Sequence, residues 1–500
     1  MQQRIVPLLN DLENTKNKIL GEEELIAELK ELLQEAGESA DDLADYIEKI
    51  EIHGQDPVVD STIKLGSAST IALLGKAVTA SKIYYLRTGK KQSLSVDLRG
   101  TLRRLAPGVE RRWEALENNP PGLIDPSIPE FFKFYKTKDG RYILPLNIYP
   151  KIKSKFLNLL NCGDRSELIQ KALEDWTAAD LEKKSEELEF VCPMIRTLDE
   201  FKKENVYEYL SALSVIEIEK IGESKPEPFV CGENVKNALE GIKAVGLGHV
   251  IAGAGTGRAL ALHGAECLNI WNPNEVEHDG VYYSANVGVR STMLNLATES
   301  GLKKMKELVK QSDILYSNRK FNMLSKFGLT AEDCAKIRPG IVHCNITAHG
   351  QDGPWKNRMG FDQVAGSVCG MMTFEGDGQK PQMPCIGIVN DYIVSWLAAM
   401  GCMIALMRRA EDGGSYKVHV SLTRAALWVL SLGIFDKDFI NQKVNSCEKH
   451  THREPEMFEA ETVCGHYRGV TDQVHMSELP ERYNPVLVPR GLCKPEFLKK

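Results

Sequence analysis

Three short stretches of this chain carry residue types whose spacing suits chemistry. The first is Gly387-Ile388-Val389-Asn390-Asp391, which leads into a long apolar run. Asp391 has two roles open to it. As the first polar residue of a helix it is a favoured N-cap. As a carboxylate at a helix N-terminus, beside apolar surface, it is held rigidly, stays ionised through the helix dipole, and is placed to act as a nucleophile. The second stretch is Gly253-Ala254-Gly255-Thr256-Gly257-Arg258. Glycines that open a helix after a strand let a ligand phosphate approach the backbone. The spacing here is GxGxG, not GxGxxG, and Trp271-Asn272 stand where a dinucleotide fold needs an acidic residue. The stretch therefore reads as a tight strand-to-helix turn facing a ligand phosphate, and not as a nicotinamide site. The third is His349-Gly350-Gln351-Asp352-Gly353-Pro354-Trp355, either a plain turn or a ligand loop at the carboxyl end of a strand.

The elements that must position these residues follow from periodicity. Residues 242–247, 267–271, 313–316, 340–347 and 417–422 are strand-like. Helical patterns lie at 253–263, 302–311, 330–337 and 392–409. Strands alternating with helices predict an α/β domain built on a doubly wound parallel sheet. The first fifty residues read as helical, with Leu25, Leu29, Leu32 and Leu33 forming one apolar stripe. Residues 131–148 alternate about Lys138-Asp139-Gly140, a hairpin signal. Residues 67–102 echo residues 392–427: an apolar helix, a Gly-containing turn, a strand, then Arg99-Gly100-Thr101-Leu102 against Arg424-Ala425-Ala426-Leu427. That echo points to a duplicated part of a domain.

Composition bounds the partners. The chain has 500 residues, 43% hydrophobic and 26% charged, with a net charge of −7. No global basic field recruits nucleic acid or an anionic membrane. The longest uncharged apolar run, residues 392–407, is shorter than the roughly 18 residues of a membrane span and reads as a buried helix. The N-terminus shows no signal-peptide core. The twelve cysteines form no CxxC pair and no cluster at metal spacing. Together these features lead us to expect a cytoplasmic protein with reduced thiols and no bound metal.

In order along residues 238–430 the motifs resemble those of the class III CoA-transferase family (CaiB/BaiF type). The resemblance runs through Gly253, Gly257-Arg258 and His263-Gly264-Ala265-Glu266, then Asn286, Gly288, Arg290 and Ser291, then Tyr316-Ser317-Asn318. It continues through Gly350-Gln351-Asp352-Gly353-Pro354, Gly360-Phe361-Asp362, Asp391 and Gly413-Gly414. The first half resembles the later part of the same family: the helix-turn-strand of residues 67–102, the hairpin of the small domain, and its closing Val191-Cys192-Pro193-Met194. The chain then divides into a helical segment with a partial repeat (1–105), a small α+β domain (106–221), a linker (222–235), a Rossmann-like domain carrying Asp391 (236–435) and a C-terminal extension (436–500).

The resemblance implies an enzyme that moves CoA from an acyl-CoA to a carboxylic acid through a covalent intermediate on Asp391. It implies acyl-CoA and a carboxylic acid as partners, with neither nucleic acid nor membrane, and a homodimer. His249, Val250, Ala252, Arg290, Asn318, His349 and Gly350 are the implied CoA-site residues. The position of Asp391 in the first copy falls near Ser67 to Ser69, where no carboxylate stands, so that copy is expected to be silent. Racemases of the family carry His where this chain has Phe361, which speaks against two-base proton transfer. Asn272 replaces the usual basic residue after the second strand and leaves the phosphate contacts open. The alternatives are an acyl-CoA racemase or CoA-linked lyase, and a non-catalytic acyl-CoA-binding relative.

Overall fold

A computed structural model describes residues 4–108, 111–122, 125–376, 378, 380–479 and 482–498. Its largest sheet has seven strands in the order Glu217–Gly222, Ser415–Ser421, Val342–Thr347, Ile314–Ser317, Lys243–Leu247, Glu266–Trp271 and Arg290–Met293. The last six are mutually parallel. Glu217–Gly222 adds an antiparallel edge. The chain starts the parallel set at Lys243–Leu247, winds outward to Arg290–Met293, then returns to Ile314–Ser317 on the other side. This is the doubly wound α/β topology expected from the β-α rhythm. It opens a crevice at the carboxyl ends of Lys243–Leu247 and Ile314–Ser317, where such folds bind ligands.

Two long helices form the centre of the molecule. Leu65–Thr88 and Asn390–Asp412 pack against each other, and almost every residue of both is buried. Each ends at a glycine with positive φ, Gly89 at 71° and Gly413 at 65°, where a Cβ is disfavoured. Each runs on into a strand, Gln92–Asp97 or Ser415–Ser421, and then a helix. The echo in the sequence is thus an echo in structure. Asn390–Asp412 is long and apolar enough to cross a membrane, but 89% of its most apolar window lies inside the protein. It is a core helix by its packing.

The first fifty residues depart from the helical expectation. Helix Glu22–Glu35 does bury Leu25, Leu29, Leu32 and Leu33. Ile47–His53, however, is a strand that pairs in parallel with Gln92–Asp97. Its isoleucines stand at 47, 50 and 52, and the pairing register shifts between Ile47 and Lys49, so no clean period of two marks it in the sequence. The stretch after residue 435 does not stand apart: Val474–Met476 pairs with Gln92–Asp97, and Gly465–Val470 with Ala115–Leu116. The small α+β region has its own core around Phe131, Phe156 and Phe190, and its hairpin joins Tyr135–Lys136 to Tyr142–Ile143.

The glycine-rich stretch is resolved differently from its sequence reading. Gly253, Gly255 and Gly257 lie inside helix Ala252–Leu262, all buried. A Cβ on Gly255 would come 2.7 Å from Ser395 Oγ on the core helix, and one on Gly257 would meet the Tyr316 ring. The glycines therefore serve close packing of this helix on its neighbours, not a phosphate cradle. We expect Gly255→Val to lower stability by about 1–3 kcal/mol through overpacking, measured by denaturant unfolding. Unchanged stability would return the motif to a ligand-binding role.

Candidate functional site

A cavity of about 570 Å³ occupies the crevice at the switch point. That volume suits a ligand larger than a simple organic acid. Its walls include His249, Val250 and Ala252 from the turn after the first strand, Asn318 and Arg319 after Ile314–Ser317, and Ala348 and Gln351 after Val342–Thr347. Tyr149 reaches it from the small α+β region, and Asp391 from the start of the core helix.

The turn between strand Lys243–Leu247 and helix Ala252–Leu262 is clamped residue by residue. The Gly248 N–H donates to Asn269 Oδ1 (2.9 Å), whose Nδ2 donates back to Gly248 O (2.8 Å). Asn318 repeats this reciprocal pair on His249, at 3.0 and 2.7 Å. The Val250 N–H donates to Glu277 Oε2 at 2.9 Å. Val250 has φ of 58°, a left-handed conformation that costs a β-branched residue on the order of 1–3 kcal/mol. The flanking hydrogen bonds hold it there.

Asp391 is the second residue of its helix, not the cap, and only 6% of it is exposed. The capping carboxylate is Asp362, from the start of helix Asp362–Cys369. Its Oδ2 accepts the backbone N–H groups of Val389 (3.0 Å), Asn390 and Asp391 (2.7 Å). Asp362 takes the N-terminal dipole for itself. Among the described residues no hydrogen bond reaches the Asp391 carboxyl oxygens, while its backbone oxygen accepts from Ser395 Oγ at 2.7 Å. Burial, and then the neighbouring Asp362 charge, raise the Asp391 carboxyl well above the usual range. Asp362 is pushed up to about 6 by burial, against its three N–H donors. Of the two, Asp362 keeps the negative charge more readily because its donors solvate it. The expectation that Asp391 stays ionised through the helix dipole is corrected here: the dipole is spent on Asp362, and desolvation governs Asp391.

The cavity mouth is cationic. Lys151, Arg319, Lys320, Lys356 and Arg358 line it. Arg319 is held by Glu275 (2.6 and 2.8 Å) and Arg358 by Glu186 (3.1 Å). Lys151 and Lys356 are exposed, and among the described residues no ion pair engages either. They leave two cationic ends on the cavity lining.

The cavity brings together His249, Val250, Ala252, Asn318 and Asp391. It does not include Arg290, His349 or Gly350. Arg290 sits on the far edge strand, with its guanidinium on Glu266 (2.8 Å) and Glu496 O (2.8 Å), two strands from the switch point. His349 turns into the core, where Nδ1 meets Thr423 Oγ1 at 2.9 Å and the ring packs edge-on against Trp355. Burial lowers its titration to about 3, so it stays neutral. Gly350, at φ of 86°, backs onto the Tyr209 ring. Asp362, Tyr149, Glu277 and the two lysines escaped sequence reasoning as site residues. For Asp362 a signal existed: an acidic residue opening a short helix, ahead of a long apolar run.

Comparisons with known proteins bear on the same region. Residues 239–465 match the model of CoA-transferase family III. A succinyl-CoA:glutarate CoA-transferase from Homo sapiens is 32% identical over 40% of this chain and 48% of its own length. A succinate–glutarate CoA-transferase from Agrobacterium fabrum is 31% identical over 38% of this chain and 52% of its own. An acetyl-coenzyme A transferase from Hypoxylon pulicicidum is 28% identical over 40% of this chain and 35% of its own. The chain thus spans about a third to a half of the length of these relatives. A crystal structure of a CaiB/BaiF family protein from Brucella suis aligns with a TM-score of 0.37 at 23% identity, covering 46% of this chain and 65% of that one.

The raised Asp391 carboxyl predicts a stability change. A carboxyl whose folded value exceeds its unfolded value stabilises fully below about pH 4, and that stability is lost as pH rises through the folded value. Asp391→Asn removes the buried carboxyl. We expect it to raise the melting temperature by a few degrees at pH 7, with the gain vanishing below about pH 4. A lower melting temperature at pH 7 would mean that the fold stabilises the Asp391 anion.

Proposed function

We propose, from the match of residues 239–465 to CoA-transferase family III, that the chain moves CoA from an acyl-CoA donor to a carboxylic acid, with Asp391 as the nucleophile. The observation that carries this is the Asp391 carboxyl itself, buried at a cavity between switch-point strands, with no partner on its oxygens among the described residues and cations at the mouth. A structural carboxylate in such a place would be hydrogen-bonded, as Asp362 is.

In this reading the Asp391 carboxylate attacks the thioester carbonyl. The C–S bond breaks, CoA thiolate departs, and an acyl-aspartyl anhydride remains. The thiolate then attacks the aspartyl carbonyl, releasing the donor acid and leaving an aspartyl-CoA thioester. The acceptor carboxylate attacks that thioester, forming a second anhydride and freeing the thiolate again. Thiolate attack on the acceptor's carbonyl yields the new acyl-CoA and restores Asp391. Each step exchanges one nucleophile for one leaving group, so no external acid, base or oxidant is required. Desolvation raises the intrinsic reactivity of the Asp391 anion once it forms, and the raised titration makes that anion scarcer at low pH.

Lys151 and Lys356 fit the phosphates of CoA as point charges at the mouth, a role that Asn272 cannot fill. Phe361, ahead of Asp362, carries no proton, which favours transfer over racemisation. Asp391 itself favours transfer over simple acyl-CoA binding, for which a buried carboxyl is only a cost.

The test is a transfer assay with a panel of acyl-CoA donors and dicarboxylic acceptors. Asp391→Ala should lower kcat by about 10³-fold or more. The Lys151→Ala, Lys356→Ala double variant should raise KM for the donor roughly tenfold with little change in kcat. Wild-type activity retained in Asp391→Ala would refute the assignment.

A further inference from the structure

One buried carboxylate beside the cavity has no part in the transfer steps. Glu277 is 4% exposed. Its Oε1 accepts the Tyr149 hydroxyl at 2.7 Å and its own chain's His278 N–H at 2.9 Å. Its Oε2 accepts the Val250 N–H at 2.9 Å and lies 3.5 Å from His249 Nε2. Glu277 therefore ties together the small α+β region through Tyr149, the strained turn through Val250, and the segment after the second strand. A buried carboxylate is tolerated only when its oxygens are satisfied, and here the satisfied geometry spans three segments.

Tyr149 shows what the tie holds in place. It is the last residue before helix Pro150–Leu160 and lines the same cavity as Asp391. Its ring stacks on Phe361 at 6.1 Å between centroids, with 16° between the planes. It also packs against His249 at 5.3 Å and His278 at 4.8 Å. A ring fixed at both its face and its hydroxyl is a rigid part of the cavity wall, and no step of the transfer uses its hydroxyl as a proton donor.

We infer that Tyr149 is the wall that shields Asp391 from water, and that Glu277 is the positioning residue that latches it. The inference rests on the transfer reading of Asp391. An aspartyl-CoA thioester is open to water as well as to an acceptor carboxylate. Water attack would form a C–O bond at the aspartyl carbonyl, break the C–S bond, release free CoA thiol and return Asp391 with loss of one proton. The net result is hydrolysis of acyl-CoA, which excluding water from the site prevents.

Transfer releases no net thiol, so free thiol and new acyl-CoA can be counted separately in one assay. The variants are Tyr149→Phe, Tyr149→Ala and Glu277→Gln in the full chain, each checked by thermal melting. We expect thiol released per transfer to rise roughly tenfold in Tyr149→Ala and Glu277→Gln, and less in Tyr149→Phe, which keeps the ring. A rise in the donor KM with an unchanged ratio of thiol to transfer would place the pair in donor binding and overturn the inference. A purely structural role would lower both counts together and leave their ratio unchanged. Folded Tyr149→Phe and Glu277→Gln variants with the wild-type ratio would overturn the inference while leaving the transfer reading intact. A wild-type protein that transfers nothing would overturn both.

Discussion

The site depends on how the N-terminus of helix Asn390–Asp412 is satisfied. A helix start leaves its first N–H groups without partners, and inside a protein they must find acceptors. Asp362 supplies one oxygen to three of them. That contact docks helix Asp362–Cys369 on the core helix, fixes the first turn, and frees Asp391 from capping. A carboxyl placed one step into the helix, with the dipole already spent, has no donor among the described residues and little exposure to solvent to stabilise its charge. The same arrangement that costs stability leaves Asp391 free for the nucleophilic role proposed for it.

The first copy repeats this device with no carboxylate at the matching place in its helix. Gly54-Gln55-Asp56-Pro57-Val58 corresponds to Gly360-Phe361-Asp362-Gln363-Val364. Asp56 Oδ2 accepts both the backbone N–H (2.7 Å) and the hydroxyl (2.9 Å) of Ser67, near the start of helix Leu65–Thr88. Ser67 thus takes the place that Asp391 takes in the second copy. The connection from Asp56 to its helix is also shorter. Glu375, from the longer connection of the second copy, reaches across to Ser61 and to the Thr62 N–H at 3.1 Å. Each helix has its capping carboxylate, whereas among the described residues of the two copies only Asp391 is a buried carboxyl without a partner.

Much of this was legible in the sequence. The β-α rhythm after residue 240 gave the parallel sheet because parallel strands buried on both faces carry continuous apolar runs. The run of 392–407 marked the core helix, and Asp391 stood out as the charge at its edge. What escaped were relations between distant residues. Glu277 and Tyr149 meet only after the small α+β region folds over the switch point, and neither has a local pattern. The strand Glu217–Gly222 hid beside a stretch read as linker, since an edge strand needs only half its residues apolar. Arg290 and His349 were implied by the family resemblance, yet a far edge strand and a turn into the core place them outside the cavity. Residue type names candidates, but only topology decides which of them share a cavity.

The central claim is that Asp391 forms a covalent intermediate. The most direct measurement is the intact mass of the protein after mixing with acyl-CoA donors and no acceptor, before and after hydroxylamine. The account predicts an adduct that hydroxylamine converts to a hydroxamate, mapped by peptide mass to Asp391 and missing in Asp391→Ala. Donor turnover with no adduct, or an adduct on another residue, would contradict it.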